Sequence, residues 1–189
     1  RPLITPKYLP GKIRKKRLLY VMGPPSYFGL KELSKTISDR ERLNFLEKLL
    51  SVCKKFKIPL DIKVHPIGRE GSNSLIRMII ESGDDVNILP PGPVENLFNN
   101  YDCACFDMLA SRSLAQAFTI DIDIIIFVPP NVKTNHSTFE DLYERAMVVR
   151  NIKFIDNILK SYYVDRIKCF MNYEWFKSKY IFGDRPKEL

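Results

Sequence analysis

The chain has 189 residues, 45% of them hydrophobic and 28% charged, which suits one soluble domain or one lobe of a larger enzyme with a real core. No apolar run approaches the ~20 residues needed to cross a bilayer, so no transmembrane helix is expected. The formal charge of +8 is uneven: seven of the 30 basic residues stand in 1–17, where there is no acid, and the other 23 nearly balance the 22 acidic ones. A basic stripe over a folded face, the usual footprint of nucleic-acid binding, is therefore not expected.

Residues 1–17 mix their charges with Pro2, Pro6, Pro10 and Gly11 and read as a solvated, extended basic linker. The run from Lys12 to Arg17 also suits peripheral contact with an anionic membrane. The chain opens on Arg1 with no signal-peptide pattern, so a piece of something longer is the favoured reading.

A first strand is predicted at 18–22, closed by Gly23-Pro24-Pro25. Ser38 and Glu41 have capping-box spacing. Leu43, Leu46, Leu49, Leu50, Cys53 and Phe56 follow at the spacing of one helical face. The apolar pattern predicts a second strand at 60–64, ending in His65-Pro66, a helix over 72–82 and a short third strand at 86–89. One or two helical turns at 94–99 lead to a fourth strand at 102–106. Then come a helix at 111–118, a fifth strand at 122–128, and a helix from the Ser137/Glu140 capping box through much of 140–163. The aromatics after Arg166 have no clean period and read as a tail packing across another surface.

About five strands alternating with helices predict right-handed crossovers and a parallel sheet covered on both faces, a Rossmann-like three-layer α/β domain. The division expected is a linker at 1–17, the domain at 18–165 and the tail at 166–189. Ligands of such sheets sit beyond the carboxyl ends of the strands, which nominates the loops 23–29, 65–71, 89–93 and 107–113. The strand-to-helix turn at 107–116 is the leading candidate: Asp107 ends the strand and Ser111, Arg112, Ser113 and Gln116 open the helix, a place where hydroxyls and free N–H groups favour an anion. An ordinary serine N-cap explains the spacing equally well. Gly23 allows close backbone approach, but the loop lacks the GxGxxG and Walker patterns. The four cysteines, Cys53, Cys103, Cys105 and Cys169, have neither metal-ligand nor disulfide spacing; they read as small apolar packing in a reducing compartment. His136 reads as a solvated loop residue. No metal site and no cofactor are expected.

The segment Tyr101-Asp102-Cys103-Ala104-Cys105-Phe106-Asp107, followed by Ser111-Arg112-Ser113-Leu114-Ala115-Gln116-Ala117, resembles the "aDxxixD…STSxxEA" signature in the C-terminal lobe of GT-B glycosyltransferases. It is most like that of the bacterial capsule and surface-polysaccharide transferases and the CDP-glycerol glycerophosphotransferases. Lys63-Val64-His65-Pro66 resembles their "KxHP", and Leu89 with Val94-Glu95-Asn96-Leu97-Phe98 the segment before the signature. In order and spacing the likeness covers about residues 18–130. It implies a donor-binding lobe in the cytoplasm or at the inner membrane, with Ser111, Ser113 and His65 on the diphosphate of a nucleotide-activated donor. Gln116 stands where the family has a ribose-binding acid; it keeps hydrogen-bonding capacity but not the charge. The acceptor site and catalytic base would then belong to an N-terminal lobe absent from this chain. A sugar-nucleotide 2-epimerase of the same fold, and a nonenzymatic interaction module using the basic start and aromatic tail, are the other readings.

Overall fold

The computed structural model describes residues 15–24, 37–65, 85–90, 92–109, 111–132 and 145–165. The helix expected over 72–82, the second capping box, His136 and the aromatic tail lie outside them.

Six parallel strands form one sheet: β1 (Lys15–Val21), β2 (Leu60–Lys63), β3 (Val86–Ile88), β4 (Tyr101–Phe106), β5 (Asp123–Phe127) and β6 (Met147–Val149), in the order β3-β2-β1-β4-β5-β6. The chain builds outward from β1 through β2 to β3, then returns to the other side of β1 with β4. That reversal lies between β1 and β4, where Leu18 pairs with Cys103 and Val21 with Phe106. The helices at the reversal lie on opposite faces, so a crevice opens beyond the carboxyl ends of these two strands.

Helix α1 (Asp39–Phe56) begins where the sequence predicts. The Ser38 hydroxyl accepts from the Glu41 amide, and the Glu41 carboxylate accepts from the Ser38 amide at 2.9 Å. The helix ends on Lys57 at φ 53°, whose amide N–H donates to the Cys53 and Lys54 carbonyls. Its buried face differs in part from the expected one. Leu43 is exposed, whereas Phe45 is fully buried, tilted against Tyr20 at 6.0 Å between centroids and stacked on Phe127 at 4.3 Å. Eighteen residues hold several overlapping apolar stripes, and the curvature of the sheet beneath selects among them.

On the opposite face lie helix α2 (Arg112–Phe118) and two 3-10 turns, Val94–Asn96 and Phe98–Asn100, whose Phe98 meets Phe106 of β4. The predicted helix through 140–163 is corrected. Its middle is the strand β6, which pairs with β5 and raises the strand count from about five to six. The helix that follows is short, α3 (Ile155–Leu159), and continues into one π-helical turn, Lys160–Val164. The pattern of Met147-Val148-Val149 suits either state, and the open edge of β5 decides for strand.

Two buried polar ties brace the sheet. At the amino-terminal edge Asp61 of β2 accepts from Arg17 at 2.7 Å, Tyr101 at 2.5 Å and Asn87 at 3.1 Å. Burial opposes its ionisation, but these three donors outweigh burial and hold its carboxyl below the usual range. Beyond α2, Arg145 is buried and donates to the carbonyls of Ile120 at 2.8 Å and Ile122 at 2.9 Å. A cation thus closes the carboxyl end of a short helix. Cys53, Cys103 and Cys105 are buried in the core and form no disulfide, and the thiol of Cys53 is pushed up to about 12 by burial. Such thiols are poor nucleophiles.

Phe45→Ala should lower unfolding stability by about 3–5 kcal/mol in urea titration. Leu43→Ala, at a position the sequence pattern puts on the apolar face of the helix, should change it by no more than about 0.5 kcal/mol. Equal losses at the two positions would contradict this packing.

Candidate functional site

Strand β1 opens on Lys15, Lys16 and Arg17, which were expected in the linker and are strand because they continue the pairing with β4, then runs apolar from Leu18 to Val21 before Gly23 and Pro24. Across the reversal, β4 delivers Asp107 to the same level. The two ends are joined directly: the Gly23 amide donates to Asp107 Oδ1 at 2.5 Å, and the Tyr20 hydroxyl donates to Oδ2 at 2.8 Å. Asp107 is 0% exposed. Burial raises its pKa, and Arg42, the Gly23 amide and the Tyr20 hydroxyl work against that rise.

Arg42 comes from the first turns of α1 and is nine-tenths buried. Its Nη1 donates to the Pro24 carbonyl, its Nε stands 3.7 Å from Asp107 Oδ2, and Asp39 lies 3.7 Å from Nη1. Gly23 is required here by space. A Cβ at that position would lie 3.1 Å from Asp107 Oδ1 and 3.2 Å from Arg42 Nη2. Tyr20, Gly23, Arg42 and Asp107 therefore form one buried clasp under the floor of the crevice. Motif reading singled out Gly23 and Asp107. It missed Arg42 and Tyr20, because an arginine inside an amphipathic helix and a tyrosine inside a strand carry no distinctive spacing.

His65 follows β2 at the same end of the sheet and is half-buried. Burial lowers its pKa and the positive charge of Arg42 lowers it further. The imidazole of the free chain is thus biased toward the neutral form near pH 7. An anion brought beside it would oppose both effects. Lys63, one turn of the strand earlier, is buried and its ammonium donates to the Pro90 carbonyl, joining the ends of β2 and β3.

The remaining predicted residues lie at the start of α2. Ser111 is its N-cap, accepting from the Leu114 amide at 2.9 Å. Arg112 is exposed and Ser113 half-buried. Gln116 is partly exposed, with its side-chain oxygen buried and without a hydrogen-bond partner. The fold therefore joins Gly23 to Asp107 by a hydrogen bond, brings His65 within the field of the same Arg42, and hangs Ser111, Arg112, Ser113 and Gln116 on the helix that leaves β4. Asp107 differs from the others in kind, for both its oxygens are engaged within the chain. Among the described residues no group of three or more His, Cys, Asp or Glu side chains could hold a metal ion.

No family model and no curated protein matches the chain. Solved structures do. The UDP-GlcNAc 2-epimerase of Methanocaldococcus jannaschii, determined with UDP-GlcNAc and UDP, superposes with a TM-score of 0.57 at 13% identity, over 80% of this chain and 39% of that one. TarM gives 0.56 at 15% identity, over 90% and 32%. The pneumococcal O-GlcNAc transferase GtfA, determined with UDP and GlcNAc, gives 0.55 at 15% identity, over 87% and 32%. The chain spans well under half the length of these proteins. It has the α/β, Rossmann-like architecture of a GT-B-like lobe.

Asp107→Ala would leave the Gly23 amide and the Tyr20 hydroxyl without that acceptor and Arg42 without its buried counter-charge. It should cost about 3–5 kcal/mol of stability by chemical denaturation; a cost below about 1 kcal/mol would show that the clasp bears little. The His65 imidazole should titrate by NMR below its ordinary 6.5, and Arg42→Gln should move it upward. Because the folded value is the lower one, the neutral form stabilises the fold above the ordinary value. That contribution is lost as pH falls through 6.5 toward the folded value.

Proposed function

We propose that this chain is the donor-binding lobe of a glycosyltransferase-like enzyme, holding a nucleotide-activated sugar or polyol phosphate in the crevice between the ends of β1 and β4. The observation that carries the reading is convergence. The sheet reverses at the one place where Gly23, His65 and the helix that follows Asp107 come to the same end. The epimerase and the O-GlcNAc transferase with which the chain shares its fold were both determined with UDP. The motif order 63–66, 89–98 and 101–117 adds the resemblance to bacterial surface-carbohydrate transferases.

In this reading each side chain has a task. The Ser113 hydroxyl and the amides at the start of α2 take the diphosphate. Ser111 keeps its cap, and its hydroxyl proton remains available to the same phosphate. Arg112 is exposed and adds a cation at the rim. His65 gains a proton as the phosphates arrive, because their charge offsets both the burial and Arg42. Gln116 donates to or accepts from a ribose hydroxyl, and binding would satisfy the side-chain oxygen that now lacks a partner. Asp107 does not touch the donor. It fixes the Gly23 turn that forms the floor, so its role is positioning.

The lobe supplies neither acceptor site nor catalytic base. Both belong to a second lobe joined through the basic segment 1–17, and the whole enzyme works in the cytoplasm, at or near the inner membrane. A 2-epimerase is the second reading, favoured by the likeness to the epimerase structure; product analysis with UDP-GlcNAc on a two-lobed protein separates the two.

Isothermal titration with UDP-, CDP- and GDP-sugars should find one class that binds. Ser113→Ala should weaken it about tenfold or more, as expected when a hydrogen bond to a charged group is lost. Deleting 1–14, which spares Lys15, Lys16 and Arg17 of β1, should leave that affinity unchanged, whereas an interaction module acting through its basic start would lose its partner. Failure of all three nucleotide classes would refute the proposal.

A further inference from the structure

All three large hydrophobic side chains that are exposed among the described residues, Leu43, Phe154 and Val164, belong to α1 and to the segment 152–164. These elements pack side by side on one face of the sheet, where Asp156 lies between Lys48 at 2.5 Å and Lys55 at 3.6 Å. The charge on that face is net basic. From residue 48 to residue 57 the helix and its cap hold Lys48, Lys54, Lys55 and Lys57 and no acid, and the neighbouring segment adds Lys153 and Lys160. Against these six lysines stand Glu47 of α1, Asp156 and Asp165. Asp156 is already held ionised by its hydrogen bond from Lys48 and by the charge of Lys55, so it neutralises part of the pair and leaves the rest uncompensated.

Phe154 is 58% exposed and sits next to exposed Lys153; Val164 is 49% exposed and lies four residues beyond exposed Lys160. A solvated helical face would not be expected to leave aromatic and branched side chains in water beside lysines. Lysine-rich surface interleaved with exposed apolar side chains is instead the composition that binds at the boundary between phospholipid headgroups and acyl chains. Long lysine stems add apolar reach while keeping the ammonium at headgroup level.

We propose that the α1 and 152–164 face is a docking surface for an anionic phospholipid bilayer. Lysines 54, 57, 153 and 160 engage the headgroup charge, and Phe154 and Val164 enter the interface. This surface uses no residue of the basic segment 1–17 or of the crevice, and it does not depend on what the crevice binds. The strands lie in the plane of the sheet, so docking by this face would run them along the membrane and open the crevice sideways, level with the surface rather than away from it.

Vesicle co-sedimentation tests the assignment, with full-length chain and vesicles of phosphatidylglycerol mixed into phosphatidylcholine, compared with pure phosphatidylcholine. The parent should partition onto the anionic vesicles only, and less so as salt rises. Lys54→Gln with Lys57→Gln should weaken partitioning on the order of twentyfold. Phe154→Ser should weaken it while leaving the salt dependence unchanged. Neutralising Lys12, Arg14, Lys15 and Lys16 should leave a substantial part of the binding in place. Lys54, Lys57 and Phe154 are exposed, so unchanged thermal unfolding of their variants verifies the fold. The proposal is overturned if the parent ignores anionic vesicles or binds neutral ones equally well. It is overturned too if only the change in 1–17 abolishes binding, or if the lysines serve a duplex oligonucleotide while vesicles are left free.

Discussion

The buried carboxylate of Asp107 is the constraint around which this domain is arranged. A parallel sheet that reverses its order leaves two adjacent strand ends with no covalent connection between them, and those ends would otherwise diverge. Asp107 joins them through the Gly23 amide and the Tyr20 hydroxyl, and Arg42 brings α1 into the same contact. The arrangement is costly to desolvate. It is tolerated because each oxygen meets a donor and a cation stands nearby. What it provides is position: the turn after β1, the start of α1 and the exit of β4 are held in one register.

The clasp also sets the electrostatics of the crevice. Arg42 faces the carboxylate on one side, and its charge reaches His65 on the other, adding to the burial that already lowers the histidine's pKa. Gln116, on the helix that leaves β4, keeps a buried side-chain oxygen without a hydrogen-bond partner.

The opposite edge of the sheet shows the same economy with a different purpose. Asp61 gathers Arg17, Tyr101 and Asn87 where no crevice forms, and its pKa is lowered where that of Asp107 is raised. Asp61 has three donors and lies near the edge. Asp107 is sealed, so desolvation dominates. Two buried aspartates in one sheet thus have opposite dependence on pH, decided by donor number and depth.

Much of the domain was legible in the chain itself. The β1, β2, β4 and β5 runs, the Ser38/Glu41 capping box and the turn from Asp107 to Ser111 all rest on local chemistry. Apolar alternation, cap hydrogen bonds and Gly-Pro punctuation act within a few residues, and they survive into the fold because nothing distant contradicts them. The resemblance to a GT-B lobe rested on short motifs and agrees with the architecture found. What the tertiary structure alone decided lies where local preference is even. Met147 to Val149 became a strand because β5 offered an unpaired edge. Phe45 rather than Leu43 turned inward because the sheet beneath selected the stripe. Arg42 and Tyr20 joined the site because the reversal of strand order brought them within reach of Asp107, a proximity across 65 and 87 residues that no spacing in the sequence encodes.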